Sequence, residues 1–202
     1  VVDHPFYYYK NYCRLPKNYM QFCIDKNHLQ YMKRFYSNIE LGPFLPLAGT
    51  RLDGKSADTV ICDKIAKETK AKDKSRDIIF TGNYTDLAFF DQYIYGINDE
   101  YAQFYMGMID DLIANPDKTV ENVIISHCNE EMGPQRLSDL RVPIHKTIFV
   151  DMFVRSYFRG KMIQTLANAG FEIAVVGAGW ETLPLKKPNR FTIIPQTNSR
   201  RC

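Results

Sequence analysis

The sequence contains no long hydrophobic run, and its apolar stretches have the length of strands. The longest of them, such as residues 171–180, fall well short of the roughly 18 residues that a membrane-spanning helix needs. We therefore expect no transmembrane segment.

Cysteine is present but is not arranged for a structural site. The five cysteines are scattered and include no Cys-x-x-Cys pair, so neither a disulfide framework nor a zinc site is predicted. The four histidines also lack metal-ligand spacing, and we expect no metal. Isolated thiols are typical of the reducing cytosol, which favours a cytoplasmic protein.

Charge of one sign is not in excess. The chain has 26 Lys and Arg residues against 23 Asp and Glu, a net charge of +3, so we expect no nucleic-acid partner. Its 202 residues, 45% apolar and 24% charged, match a soluble globular protein with one large domain or two small ones. Because the first residue is Val1 rather than Met, we expect a segment of a longer protein.

Residues 1–50 predict a first α/β unit in the order strand, loop, strand, helix, strand. A β-rich run at 19–24 precedes Asp25, whose carboxylate can cap a helix at 26–36. Extended chain is expected at 39–47, where prolines oppose a helix.

A linker is predicted at 51–76, where charged residues dominate and aromatic residues are absent. A helical stretch at 59–70 is expected within it. The second domain then covers 77–202 and contains a mainly helical insertion at about 87–146. Loops are predicted in that insertion at Gly133-Pro134 and at Val142-Pro143.

The second domain has three nearly continuous apolar strands, at 78–84, 171–176 and 191–194. A long helix at 147–168, ended by Gly170, precedes the second strand. Apolar strands joined by helices indicate a parallel sheet covered on both faces, with ligands bound beyond the carboxyl ends of its strands.

Two glycines, Gly177 and Gly179, follow the second strand and suggest a dinucleotide site. That fingerprint needs a third glycine and an immediate helix, but Thr182 occupies the third position and prolines follow. The glycines still permit either a simple tight turn or the close approach of a ligand to the backbone.

The turn after the first strand of this domain contains Gly82 and Asn83. Backbone N–H groups there can face an anion, and Asn83 adds a donor, although a bare turn is the alternative. The absence of a following lysine excludes an ATPase P-loop.

Three charged or titratable residues are further candidates. Arg155 and Arg159 are four positions apart on the long helix and share a face, which can bind phosphate or simply face solvent. His4 follows a short strand, where it can act as a base, hold a sugar hydroxyl or have a structural role.

Several segments together resemble the bacterial GT-B glycosyltransferases of the spore-coat and maturation type, relatives of family-1 and family-4 enzymes. The resemblance is carried by Asp3-His4-Pro5-Phe6, by Cys23 to His28 with Tyr31 and Arg34-Phe35-Tyr36, by Phe44-Leu45-Pro46, by Ile78 to Tyr84, and by Arg155, Arg159, Leu166, Gly170 and Val175 to Trp180. It covers most of the chain outside the helical insertion.

The resemblance implies two Rossmann-like domains around a cleft and an incomplete GT-B arrangement in this chain. A nucleotide-diphosphate sugar would bind the second domain without a metal or other cofactor, and an acceptor hydroxyl would bind the first. His4 would lie on the acceptor side. The implied donor-side residues are Gly82, Asn83, Tyr84, Arg155, Arg159, Gly177, Gly179, Trp180, Pro195 and Gln196.

Other functions stay open at this stage. A non-catalytic α/β binding module could use the aromatic helical region as a partner surface, made of Phe89, Phe90, Tyr93, Tyr95, Tyr101, Phe104 and Tyr105. An NAD(P)-dependent oxidoreductase is the third alternative, and a homo-oligomer is possible in each case. In a complete GT-B enzyme further donor-binding groups follow the third strand of the second domain, so we expect this segment alone to be inactive.

Overall fold

The computed structural model describes residues 4–46, 76–186 and 188–194. The predicted strand at Val1-Val2, the helical stretch at 59–70 and nearly all of the predicted linker lie outside these residues.

The first block contains the predicted strand–helix–strand unit in a shortened form. Strands β1 (Met20–Gln21) and β2 (Glu40–Leu41) pair in parallel, and helix α2 (Lys26–Phe35) connects them. Asp25 caps α2 as predicted, because its Oδ1 accepts from the Asn27 N–H at 2.6 Å. The region predicted as a loop before β1 instead forms a 3-10 helix (Pro5–Tyr8) and helix α1 (Tyr9–Tyr12).

The second part of the described chain is rich in helices. They are a 3-10 helix (Leu87–Phe90), α3 (Asp91–Ile94), α4 (Asp99–Ala114), α5 (Val120–Met132), α6 (Leu137–Lys146) and α7 (Ile148–Ala169). Helix α7 ends where the sequence predicts, at Gly170 with a left-handed φ of 102°. Glycine is favoured there because it has no Cβ to strain that conformation.

One predicted loop is wrong and another is confirmed. Gly133, with φ 74°, follows the end of α5 as predicted. Pro143, by contrast, lies inside α6. Packing outweighs the proline penalty here, since Leu140 and Ile144 on either side of Pro143 are fully buried.

A three-stranded sheet forms from β3 (Ile78–Thr81), β4 (Ile173–Val176) and β5 (Phe191–Ile194), in that order. All neighbours are parallel, as predicted, and the chain is therefore an α/β protein with two small parallel sheets. The prediction that both faces are covered does not hold among the described residues. One face packs on α7, whereas Ile79 on the other face is 67% exposed.

Among the described residues, two hydrophobic clusters form the core, and α7 contributes to both. The larger cluster joins the first block to the helical region, and Val150 and Val154 belong to it. The smaller cluster lies between α7 and the three-stranded sheet, and it includes Ile163 and Ala167. The helices at 87–146 thus share a core with the first block rather than with the sheet. Among the described residues, no helix is both long and apolar enough to cross a bilayer.

Candidate functional site

The candidate site lies at the carboxyl edge of the three-stranded sheet, where the loops after β3 and β4 meet. Backbone pairing continues past both strands, because the Gly82 N–H donates to the Val176 carbonyl at 2.9 Å and the Tyr84 N–H donates to the Ala178 carbonyl at 3.0 Å. The side chain of Asn83 adds a further bond, since its Oδ1 accepts from the Ala178 N–H at 3.0 Å. We call this pair of loops, residues 82–84 and 177–180, the glycine junction.

Gly177 and Gly179 allow the two loops to approach each other closely. Both have positive φ, 152° and 84°. A Cβ added at Gly177 would overlap the carbonyl oxygen of Gly82, and one at Gly179 would overlap that of Tyr84. The chain's own backbone therefore occupies the space that these glycines leave open, and their contact with a ligand stays a prediction.

Trp180, the last residue of the glycine junction, packs its indole ring against the rest of the junction. Its indole is 1% exposed, stacks on Tyr84 with ring centroids 5.3 Å apart, and meets the edge of Phe80 at 5.5 Å. The indole Nε1 donates to the Gly82 carbonyl at 2.7 Å. Burial raises the pKa of Tyr84. The stacked rings of Trp180 and Tyr84 thus form the buried side of the two loops.

Helix α7 passes beside the junction and is held close to it. The exposed Arg159 donates from Nη1 to the Asn83 carbonyl at 2.9 Å. Gly160, the next residue, makes this approach possible, because a Cβ there would lie 3.1 Å from Tyr84 Cε2 and 3.0 Å from a methyl group of Leu183. Sequence reasoning missed Gly160.

Arg155 lies one helical turn before Arg159, is exposed, and pairs with a buried carboxylate. Its Nε is 2.8 Å from Oδ2 of Asp151, whose side chain is only 7% exposed. The Tyr7 hydroxyl also donates to Asp151, and the Arg155 guanidinium lies 6.0 Å from the centre of the Tyr7 ring. Sequence reasoning missed Asp151, although an acid four residues before an arginine is a recognisable helical pair.

His4 lies on the first block, close enough to Arg155 for the charges to interact. Its Nδ1 accepts from the Phe6 N–H at 3.4 Å, so it caps the Pro5–Tyr8 helix. Its Nε2 lies 4.0 Å from Glu121 Oε2. Burial, followed by the positive charges of His28 and Arg155, lowers the pKa of His4 to about 3.

Helix α7 approaches both parts of the described chain. Arg155 lies near the Tyr7 ring of the first block, and Arg159 contacts Asn83 after β3. Pro195 and Gln196 lie outside the described residues. The preceding residue, Ile194, accepts from the Gly177 N–H at 3.3 Å.

The described residues also line two concave regions, one of them next to the glycine junction. One of about 500 Å³ lies at the amino ends of β1 and β2 and includes Tyr12, Lys17, Asn38 and Glu40. Another of about 380 Å³ lies beside the junction, between Trp180, Leu185 and Phe191. Within the described ranges, no group of three or more His, Cys, Asp or Glu side chains is arranged to hold a metal ion.

Comparison with known proteins identified no relative: the chain matches no protein family, no curated protein and no solved structure.

Proposed function

We propose that the chain is part of a GT-B-type glycosyltransferase, which moves a sugar from a nucleotide-diphosphate donor to an acceptor hydroxyl. The observation that carries this proposal is the position of Arg155 and Arg159. Successive turns of α7 bring Arg155 near the Tyr7 ring of the first block and Arg159 to the Asn83 carbonyl. A donor bound at the carboxyl edge of the sheet would thus lie against positive charge and next to the first block.

In this proposal, Arg155 and Arg159 stabilise the diphosphate that leaves the sugar. A guanidinium has five N–H donors in a fixed fork that matches phosphate oxygens. Arg159 uses one nitrogen on the Asn83 carbonyl, which fixes its position, and other donors remain for a ligand. Preorganised positive groups of this kind stabilise developing negative charge without rearranging during the reaction.

We assign His4 to hydrogen bonding rather than to proton abstraction. A base with a pKa of about 3 is too weak to take a proton efficiently near neutral pH. Since Nδ1 accepts from the Phe6 N–H, the proton of the neutral ring belongs on Nε2. That group can donate to a hydroxyl of the acceptor.

The oxidoreductase alternative has less support. A dinucleotide fold places a helix N-terminus directly behind the glycine turn, but here Gly179 is followed by a single 3-10 turn (Trp180–Thr182). Carbonyl groups of the chain also fill the space beside both glycines.

Ligand-dependent stabilisation tests the proposal. We would measure thermal unfolding of the protein with UDP, GDP, their sugars, NAD and NADP, and follow Trp180 fluorescence in parallel. Trp180 is the single tryptophan and lies under Gly82, so a ligand at the junction should change its emission. At about 100 times the dissociation constant, a binding nucleotide adds about 2.7 kcal/mol of stability.

The outcomes separate the three alternatives. Stabilisation by UDP or GDP compounds with a fluorescence change supports the glycosyltransferase. Stabilisation by NAD or NADP alone supports the oxidoreductase, and a lack of response to every nucleotide supports a binding module. Either of the last two results contradicts our proposal.

A further inference from the structure

The aromatic helical region presents a connected set of rings at the surface. Neighbouring ring centroids are 6.0 Å apart for Phe89 and Tyr93, 5.7 Å for Tyr93 and Phe149, 4.9 Å for Phe149 and Tyr105, and 6.0 Å for Tyr105 and Tyr101. We call these five residues the aromatic row. Phe89, Tyr93 and Tyr101 are 49%, 45% and 48% exposed.

Buried residues anchor the short helices that carry the exposed rings. Phe90 and Ile94 alternate with them on the same short helices and are 1% exposed, and Phe90 meets Phe153 of α7 at 5.7 Å. The sequence had placed Phe90 in a partner surface, but it belongs to the core. Tyr95 and Ile97, which follow Tyr93 closely in sequence, are also exposed.

The segment that carries four of the five rings is acidic, whereas the fifth ring, Phe149, follows the exposed Lys146 by three residues. Between positions 77 and 117 the sequence has no lysine or arginine and eight acidic residues, namely Asp77, Asp86, Asp91, Asp99, Glu100, Asp110, Asp111 and Asp117. The four nearest the exposed rings in sequence, Asp86, Asp91, Asp99 and Glu100, are all exposed. Within the described part of the chain, none of these four forms an ion pair with a lysine or arginine.

We propose that the aromatic row and its four carboxylates form a docking surface for an arginine- and lysine-rich segment of a partner protein. Ring faces attract cations, and guanidinium groups stack on them best. The carboxylates add complementary charge that speeds encounter and selects the sign of the partner. The apolar area accommodates the aliphatic stems of the basic side chains.

The same chemistry argues against other occupants. Nucleic acid and an anionic lipid surface would be repelled by the unpaired carboxylates. A second copy of the chain would bring four more carboxylates to the same face. This inference does not depend on the proposed enzymatic function, because none of the five rings belongs to the glycine junction.

Fluorescence anisotropy with a labelled peptide of alternating arginine and serine tests the proposal. The matched peptide replaces each arginine with citrulline, which keeps the shape and removes the charge. We expect the arginine peptide to bind, its affinity to fall as salt is raised, and the citrulline peptide to bind at least about tenfold more weakly.

Paired variants localise the binding. Tyr93→Leu keeps apolar volume but removes the ring and should weaken binding about threefold. The double change Asp99→Asn with Glu100→Gln should have a similar effect at low salt. Phe171→Leu and Glu131→Gln change an exposed ring and an exposed acid elsewhere and should leave affinity unchanged.

Three results would overturn the proposal: equal binding of the arginine and citrulline peptides, equal losses in the row and control variants, or no peptide binding. Sedimentation of the protein alone adds a fourth, because self-association abolished by Tyr93→Leu would assign the row to a second copy of the chain. Circular dichroism of each variant confirms that it is folded.

Discussion

The guanidinium of Arg159 donates from Nη1 to the backbone carbonyl oxygen of Asn83 across a sequence separation of 76 residues, with 2.9 Å between the two atoms. Asn83 in turn accepts from the Ala178 N–H through its side chain. One asparagine thus ties the long helix to the loops after β3 and β4. The bond positions Arg159 at the carboxyl edge of the sheet, where parallel sheets bind ligands.

Replacing Arg159 with glutamine should weaken binding of the nucleotide diphosphate that the proposed function requires. Loss of a charged hydrogen-bond donor to phosphate should raise the dissociation constant about tenfold. Because the side chain is exposed, unfolding free energy should change by about 1 kcal/mol or less. Calorimetric titration with UDP and GDP measures the first quantity and urea denaturation the second.

Arg136→Gln is the matched control for that experiment. The Arg136 side chain is 83% exposed and pairs with Asp139 on α6, so its loss should leave nucleotide affinity unchanged. Equal weakening in the two variants would show that Arg159 acts only through general charge.

Much of the architecture was predictable because it depends on local patterns. The three apolar runs predicted parallel strands, and the glycine at position 170 predicted the end of α7, which its φ of 102° explains. Asp25 was recognisable as a cap because capping is a contact between near neighbours. Each of these features needs only a few consecutive residues.

The missed features depend on contacts between distant residues. Nothing near Gly179 in sequence indicates that the carbonyl of Tyr84 will lie against it. The same holds for Asp151, whose burial follows from its contact with Tyr7 at the other end of the chain. Pro143 lies in a helix because packing of its neighbours outweighs its local preference.

The close fit of the glycine junction predicts a large loss of stability on replacing Gly179 with alanine. The substitution combines an unfavourable φ of 84° with a clash against the Tyr84 carbonyl. We expect the unfolding free energy to fall by at least about 3 kcal/mol.

Gly170→Ala separates the two causes. Gly170 has the same left-handed conformation, with φ 102° and ψ 5°, but an added Cβ would meet nothing within 4 Å. Its replacement should cost about 1–2 kcal/mol, the penalty of the left-handed conformation alone. Urea denaturation of both variants gives the difference, and similar losses would contradict the close packing of the junction.

Replacing Trp180 with phenylalanine should also destabilise the packing between α7 and the three-stranded sheet. The variant keeps an aromatic ring but leaves the Gly82 carbonyl without its indole donor and reduces buried volume. Together these effects should cost about 2–4 kcal/mol. Circular dichroism must follow this unfolding, because Trp180 is the single tryptophan. Tyr84→Phe, which removes a hydroxyl from the other stacked ring, should cost distinctly less.

The buried position of His4 predicts that stability depends on pH in a defined direction. The pKa of His4 is lowered from 6.5 to about 3 in the folded protein, so between these values the unfolded chain binds more protons. The stabilising contribution of neutral His4 is therefore complete above pH 6.5 and is lost as pH falls toward 3, with a slope of up to about 1.4 kcal/mol per pH unit. The groups around it are His28, Arg155, Asp25 and Glu121.

His4→Asn cannot titrate but can still cap the Pro5–Tyr8 helix, so the stability of this variant should depend less steeply on pH between about pH 7 and about pH 5. Urea denaturation across this range measures both profiles, and parallel profiles would show that His4 is accessible to protons in the folded state.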